Sequence, residues 1–263
     1  MKGRCPGVHP FIGEGFDRER ALRFWDGIAS WYSGAQQGPM VDEVVEHLHR
    51  TGVLHGEATV LELGCGPGTY SLRVAPLVRS MACLDTSKSM LDRLLFSAGE
   101  LGLTNIRVVM ADFAEHVPEE RSSVVMASLC PGTASVDGLR RMESCAKDHC
   151  AHITWTSNGW DDLHAKVWNE MGKDYSFEAR GSDLAARNLR SMGREPEITG
   201  FSAEMEHVMP LERAVSEFVR DFSAFGRGLE AEPFVRKVLE PLAKGGEFRY
   251  RSHNSMRLLV WDV

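Results

Sequence analysis

The sequence predicts an α/β protein with a doubly wound, mainly parallel sheet that carries helices on both faces and a helical cap. Short apolar segments alternate with amphipathic segments over residues 57–156, and a glycine-rich turn follows the first apolar segment. Strands that alternate with helices need crossover connections, and such connections produce parallel sheets covered on both faces. The 263 residues suffice for one domain with a smaller cap, so we expect a single domain over residues 1–263.

Two helices are predicted over residues 17–52, before the sheet begins. Leu22, Trp25 and Ala29 recur at helical spacing, and so do the apolar residues within 41–48. We expect the core of the fold to follow over residues 57–156. Its predicted strands are 58–64, 80–85, 105–112, 122–129 and 150–156, and its predicted helices are 67–78, 87–102 and 135–147.

The second half of the chain is predicted to supply a helical cap and two closing strands. Residues 157–193 and 211–243 have apolar side chains at helical spacing, including a stripe of phenylalanines over 218–225. That stripe has two interpretations, packing within the cap or a ligand pocket. The segments 196–209 and 248–263 read as strands, and we expect the last of them to return to the sheet.

The composition argues against nucleic acid, membrane and metal partners. The net charge is −7 at pH 7 and the pI is about 5.8, so no basic face for nucleic acid is implied. No apolar run is long enough to span a membrane and no signal peptide is recognisable, so we expect a cytoplasmic monomer or homodimer. The six cysteines contain no C-x-x-C pair, and Cys145 with Cys150 is only a weak candidate for a thiol or metal pair.

A glycine-rich turn with acids after it predicts a nucleotide-like ligand. Gly64, Gly66 and Gly68 follow an apolar strand and precede a helix, where the backbone must turn sharply or approach a ligand closely. Asp85 ends the next strand about 20 residues later, the place from which an acid accepts hydrogen bonds from ribose hydroxyls. Asp112, next to an aromatic residue, ends the third strand and is a candidate for contact with adenine. The alternative is that both acids merely cap the helices that follow them.

These segments resemble the motifs of class I S-adenosylmethionine-dependent methyltransferases. LELGCGPGTYS is similar to the first motif of that family, DTSKSML to the second and ADF to the third, within a resemblance that covers residues 40–156. It implies a Rossmann-like sheet of seven strands with an antiparallel hairpin at one edge, and S-adenosylmethionine as cofactor. The implied cofactor contacts are Tyr32, Glu62, Gly64, Cys65, Gly66, Pro67, Gly68, Asp85, Thr86, Met90, Asp112, Phe113, Ser128 and Leu129.

The end of the fourth strand departs from a pattern that some members of this family carry. Relatives that methylate amines can have Asn/Asp-Pro-Pro-Tyr/Phe there, whereas this chain has Cys130-Pro131-Gly132. The departure argues against methylation of DNA adenine or of glutamine. Cys130 is a candidate for lining the substrate pocket or for touching a soft atom such as sulfur, selenium or arsenic, and its alternative role is that of a small packing residue.

Aromatic and histidine side chains supply the remaining candidates. Trp25 and Tyr32 resemble a helix that many small-molecule methyltransferases place over the cofactor, and simple packing of that helix is the alternative. Trp155 and Trp160 are candidates for a substrate wall, and Trp25 is a further candidate for substrate contact. His164 is a candidate for a general base, although a lone histidine on a helix is more often structural. The sequence suggests no partner for His9, His152 or His253.

The leading hypothesis is a methyltransferase that acts on a small-molecule acceptor and releases S-adenosylhomocysteine. Its catalytic candidates are Cys130, His164 and Tyr32, because methyl transfer depends mainly on alignment and the sequence contains no unmistakable base. A non-catalytic sensor or partner subunit that binds the cofactor or its product is the first alternative. An NAD-dependent oxidoreductase is the second, although the G-x-G-x-G spacing differs from the G-x-G-x-x-G of dehydrogenases.

Overall fold

The chain folds into two compact units, both seen in a computed structural model. The structure describes residues 3–4, 18–29, 38–116, 118, 120–157, 161–174, 180–224 and 226–263, so His9, Tyr32 and Trp160 lie outside the described residues. The sheet unit comprises Leu22–Thr156, Gly181–Phe201 and Met256–Val263, and the cap unit comprises Met1–Ala21, Ser157–Arg180 and Ser202–Ser255. The expected single domain with its internal boundaries stays a prediction.

Seven strands lie side by side in the order β3-β2-β1-β4-β5-β7-β6. The pairs β1–β2, β2–β3, β1–β4 and β4–β5 are parallel, which confirms the doubly wound, mainly parallel sheet. A two-residue strand, Ala243–Lys244, adds an antiparallel partner to β7. The strands are β1 Thr59–Leu63, β2 Ser80–Asp85, β3 Ile106–Met110, β4 Ser122–Ser128, β5 Ala146–Ser157, β6 Glu197–Pro210 and β7 Glu247–Asp262.

Nine α-helices lie within the described residues. They are α1 Arg18–Ile28, α2 Gly38–Arg50, α3 Ser71–Val74, α4 Lys88–Glu100, α5 Val136–Ser144, α6 Asp161–Glu170, α7 Arg180–Ser191, α8 Leu211–Ala224 and α9 Gly228–Leu239. None of these helices is both long and apolar enough to cross a membrane.

Three sequence-based element boundaries are wrong. The helix expected over 67–78 is only four residues of α3 and a 3₁₀ turn, because Pro76 lacks the N–H that an α-helix needs. The helical segment expected over 157–193 is interrupted by the strand Lys173–Asp174, which pairs in parallel with Gly3–Arg4. Strand β5 begins four residues before the predicted position, since α5 ends at Ser144 and the polar segment after it already pairs with β4.

Burial follows the position of each strand in the sheet. Four of the five residues of β1 are buried on alternating faces, which fits a central strand with helices on both sides. Strand β3 lies at the edge of the sheet, and its residue Met110 remains 65% exposed. Because β3, β2, β1 and β4 pair in parallel, their carboxyl ends lie at the same edge of the sheet. The glycine turn follows β1 at this edge, which is where ligands bind in such sheets.

The cap unit has a hydrophobic core of its own. Phe218 and Phe222 on α8 are buried with Trp168 on α6 and Val235 on α9. These buried positions favour packing as the role of the phenylalanine stripe. Phe225, the last member of the stripe, lies outside the described residues.

Candidate functional site

The three glycines after β1 have positive φ angles but different surroundings. A Cβ on Gly64 (φ +67°) would lie 3.0 Å from Sγ of Cys130, and one on Gly68 (φ +89°) would lie 2.9 Å from Cγ of Leu94. These two glycines are required because the protein itself fills the space beside them. Gly66 (φ +53°) differs, since a Cβ there would meet no described atom within 4 Å. Its backbone therefore faces open space, as a position for close approach by a ligand requires.

Asp85 at the end of β2 holds this turn in place. One carboxylate oxygen accepts a hydrogen bond from the N–H of Gly66 at 2.8 Å, and the other accepts one from the N–H of Ser87 at 2.8 Å. Burial raises the pKa of Asp85, while the N–H donors oppose the rise. The helix cap itself is Ser87, whose Oγ accepts from the N–H of Met90 at 3.1 Å. The N–H of Thr86 is a third donor to this carboxylate, and since a carboxylate has about four acceptor sites, a further site stays available for a ligand hydroxyl.

Asp112 and Phe113 lie in the turn that follows β3. The Asp112 carboxylate accepts a hydrogen bond from the N–H of Ala114 at 2.7 Å, so Asp112 orders the local turn. Phe113 is buried, and its ring lies 3.3 Å from the position that a Cβ on Gly132 would occupy. The predicted adenine contacts of both residues stay predictions.

Glu62 lies beneath the glycine turn in a buried polar cluster. It is 1% exposed and accepts a short hydrogen bond from the hydroxyl of Ser71 at the start of α3. The Cys83 thiol in turn contacts the Ser71 hydroxyl at 3.2 Å. Burial raises the pKa of Glu62 to about 8, against the hydrogen bond from Ser71, which lowers it. Glu62 thus fastens α3 to β1, and direct contact with the cofactor stays a prediction.

The remaining predicted cofactor residues lie on these same turns. Cys65 is buried, and its hydrogen bond with Cys83, together with burial, raises its pKa. Thr86 is exposed between Asp85 and the cap of α4, whereas Met90 is buried on that helix. Pro67, in the glycine turn, is buried, and Ser128, at the end of β4, is half-buried.

The turn after β4 has an unusual backbone. Leu129 has φ +53°, the only positive value among the described non-glycine residues, and its N–H donates to the carbonyl of Ile153 at 3.0 Å. Such a conformation is uncommon for a leucine and persists only when its surroundings enforce it. Burial raises the pKa of Cys130 to about 12, so its thiol stays protonated at neutral pH. Because Sγ also packs against Gly64, the geometry favours the packing role for Cys130.

The N-terminal helix is joined to the turn after β2. Trp25 is half-buried and meets Phe24 edge-on at 5.2 Å between ring centroids, in a cluster that includes Met90 of α4. Asp26 on the same helix accepts a hydrogen bond from the Ser87 hydroxyl at 2.6 Å. The sequence reasoning missed Asp26. Its only signal is its place beside Trp25, which sequence alone does not connect to a residue 61 positions away.

His164 packs and hydrogen-bonds within the cap unit. Nε2 of His164 lies 3.2 Å from a carboxylate oxygen of Asp221, and the ring packs against Phe218 at 4.7 Å. These contacts lie within the cap unit and support the structural interpretation of His164. Trp155 is half-buried on β5 in the sheet unit.

Three other sequence-based suggestions can be placed. His253 is exposed, and His152 has a partner that the sequence did not suggest, the Thr133 hydroxyl at 3.0 Å. Cys145 and Cys150 are buried free thiols. Burial raises the pKa of each. Within the described residues, no group of three or more histidine, cysteine or acidic side chains is arranged to hold a metal ion.

Comparison with known proteins defines the class. A family model described as a methyltransferase domain matches residues 60–149, the segment that contains the glycine turn, Asp85 and Asp112. This segment is therefore a methyltransferase domain, and the predicted class I S-adenosylmethionine-dependent family is confirmed for it. S-adenosylmethionine is the cofactor expected of such a domain, and Gly66 fits it because a Cβ would fill the open space that the backbone faces.

A curated relative matches a shorter segment of the chain. The 23S rRNA (uracil(1939)-C(5))-methyltransferase of Chromohalobacter salexigens is 38% identical over 64 residues, which are 24% of this chain and 14% of that protein. The chain thus matches only a small part of the curated relative's length.

Two solved structures have the same fold. A candidate methyltransferase from Bacillus halodurans gives a TM-score of 0.53 at 15% identity, over 83% of this chain and 97% of that one. Magnesium protoporphyrin IX methyltransferase from Synechocystis PCC 6803, crystallised with SAH, gives 0.52 at 15% identity, over 96% and 95%. At these identities the likeness establishes the Rossmann-like methyltransferase fold.

Proposed function

We propose that this protein transfers a methyl group from S-adenosylmethionine to a small-molecule acceptor and releases S-adenosylhomocysteine. The observation that carries the proposal is the bare backbone of Gly66, which faces open space and is held by Asp85 at the ligand-binding edge of the sheet. The positive φ alone favours glycine at this position, as it does at Gly102, so it is the combination of open space with the hydrogen bond to Asp85 at the end of the neighbouring strand that supports the proposal. The match to a methyltransferase domain over residues 60–149 supports S-adenosylmethionine as the ligand that approaches this backbone.

The residues around the turn have distinct proposed roles. The glycine turn would face the methionine and ribose portions of the cofactor, and Asp85 would accept hydrogen bonds from the ribose hydroxyls. Asp112, Phe113 and Met90 would surround the adenine. When bound, S-adenosylmethionine supplies an electrophilic methyl group whose leaving group is a neutral thioether.

Alignment, rather than acid–base chemistry, is the contribution we assign to the chain itself. The Cys130 thiol stays protonated and so is not poised as a base, and packing is the role favoured for His164, whose ring lies 4.7 Å from that of Phe218 in the cap unit. Methyl transfer to an already reactive nucleophile needs a fixed approach and exclusion of water. The turn after β4, with the enforced backbone of Leu129, lies where such alignment would occur.

A small-molecule acceptor is favoured over RNA by the charge of the chain. A net charge of −7 opposes binding to a phosphate backbone, although the curated relative acts on ribosomal RNA. The cap unit, which falls outside the family match, would decide which small molecule is taken. The cytoplasmic location and a monomeric or dimeric state stay predictions.

The deciding experiment joins cofactor binding to the identity of the acceptor. Calorimetric titration with S-adenosylmethionine, S-adenosylhomocysteine and NAD should show binding of the first two only, lost in Asp85→Ala. Cofactor with a radiolabelled methyl group is then incubated with a small-molecule extract and, separately, with cellular RNA. Label in the small-molecule fraction supports the proposal, and label in RNA alone refutes the small-molecule acceptor. Binding without transfer to either fraction would favour the non-catalytic sensor, and binding of NAD would favour an oxidoreductase.

A further inference from the structure

The hydrogen bonds around Thr133 determine the protonation of a buried histidine. The Thr133 hydroxyl lies 2.9 Å from the carbonyl oxygen of Cys130 and 3.0 Å from Nε2 of His152. A carbonyl only accepts, so the single hydroxyl proton of Thr133 goes to Cys130. The second contact therefore needs a proton from the histidine, and His152 donates its Nε2–H to the Thr133 oxygen.

The other ring nitrogen of His152 then carries a bare lone pair. His152 is 6% exposed, and its Nδ1 is buried with no hydrogen-bond partner among the described residues. Burial also lowers its pKa to about 4, so that the ring stays neutral at neutral pH. A buried acceptor without a partner costs stability, and an apolar side chain at this position would avoid that cost. Stability of the fold therefore does not explain why a histidine occupies this position.

The turn that His152 holds touches both sides of the proposed cofactor site. Sγ of Cys130 packs against Gly64 in the glycine turn, at 3.0 Å from the ideal Cβ position. Two residues later, Gly132 lies against the Phe113 ring, with 3.3 Å between the ideal Cβ position and Cδ1. A shift of this turn would therefore displace the glycine turn and the aromatic residue expected at the adenine.

We propose that His152 is a positioning residue, which holds residues 130–133 against the cofactor site by donating a hydrogen bond to Thr133. It acts through Thr133 and touches neither cofactor nor acceptor. This inference rests on the proposed function, because it assigns His152 to the affinity of the same cofactor site. The unpaired Nδ1 lowers stability, and it is present because the ring serves only as a donor through Nε2.

The test compares cofactor affinity with stability in matched variants. His152→Leu removes the donor, and His152→Gln keeps an N–H near the position of Nε2. Thr133→Val removes the same hydrogen bond from the other side, in case the leucine variant folds poorly. His149→Leu is the control, since His149 lies on the same strand but bonds to Asp262 at 2.8 Å. Each variant is titrated with S-adenosylhomocysteine, and its thermal unfolding is measured without ligand.

We expect His152→Leu to weaken S-adenosylhomocysteine binding by about tenfold, the value of one hydrogen bond. Thr133→Val also loses the hydrogen bond to the Cys130 carbonyl, so it should weaken binding at least as much, and the double variant should lose no more than Thr133→Val alone. His152→Gln should recover most of the affinity, and His149→Leu should bind as the wild type does. The melting temperature of His152→Leu should stay equal or rise. Unchanged affinity in His152→Leu would overturn the inference, and so would equal losses of affinity and melting temperature in the leucine and glutamine variants.

A second measurement is independent of the cofactor. Nitrogen-15 NMR of the histidine rings at pH 7 should show the neutral Nε2–H form for His152, and an Nδ1–H or doubly protonated ring would refute the hydrogen-bond assignment. Wild-type protein that shows this form but does not bind S-adenosylhomocysteine would refute the proposed function instead.

Discussion

Substitution of Gly66 by alanine separates ligand contact from folding. In the folded protein the added methyl group would meet no described atom within 4 Å, so its cost in the free protein is the strain of an alanine at φ +53°. That strain is about 1–2 kcal/mol, partly offset by the lower entropy of the unfolded alanine chain. We therefore expect Gly66→Ala to fold, with a free energy of unfolding lower by about 1 kcal/mol.

The same methyl group would occupy space that we assign to the cofactor. Forcing an extra methyl into a filled contact costs about 1–3 kcal/mol, which corresponds to a loss of affinity of roughly 5- to 150-fold. Calorimetric titration with S-adenosylhomocysteine measures the affinity, and denaturant unfolding without ligand measures the strain. The two quantities should change independently, because only the first involves the ligand.

Gly102→Ala is the matched control for this experiment. Gly102, in the turn after α4, has φ +67° and also has no described atom within 4 Å of an added Cβ. Its substitution should lower stability by a similar amount, about 1 kcal/mol, and leave ligand affinity unchanged. The assignment of Gly66 to the cofactor site fails if Gly66→Ala binds as tightly as wild type, or if Gly102→Ala weakens binding equally.

Three further expectations concern titratable groups. The folded pKa of Glu62, about 8, lies above its unfolded value of 4.5, so the stabilising contribution of its protonated form is present at low pH and is lost as pH rises from about 4.5 to 8. Unfolding free energies over this range should fall by up to about 1.4 kcal/mol per pH unit and become flatter in Glu62→Gln. Cys130 should resist alkylation at pH 8 in the native protein and react once unfolded, as peptide mapping can show; rapid native labelling would contradict its protonated thiol. His164→Ala should lower stability by about 1 kcal/mol yet leave cofactor affinity intact, and an affinity loss in titration would restore it as a site residue.

Sequence reasoning succeeded where the signal is local. The apolar segments that became β1 and β2 are short and bounded by turn residues, and the glycines marked the turn that follows β1. It failed where one residue overrides a pattern, as Pro76 does after α3. The pattern of the segment after β1 is helical in hydrophobicity, but hydrophobic spacing carries no information about a missing N–H.

Contacts between distant segments were beyond the reach of the sequence. Asp26 and Ser87 meet across 61 positions, and Thr133 and His152 meet across 19. Each pair consists of common polar residues in no recognisable motif. Only the parallel pairing of β4 with β5, which sets Ala127 opposite His152, brings the second pair together.

Asp85 has two roles in the proposed site. It orders the glycine turn and the start of α4, and this order makes its second role, contact with the ribose hydroxyls, more effective. By accepting the N–H of Gly66, its carboxylate fixes the turn before any ligand arrives. By accepting the N–H of Ser87, it also fixes the start of α4, to which Asp26 joins the N-terminal helix. A site that is already ordered loses less conformational freedom on binding, and the affinity is correspondingly higher. Loss of the Asp85 carboxylate should therefore cost more affinity than its contact with ribose hydroxyls alone, because the turn and the helix start would have to be ordered by the ligand.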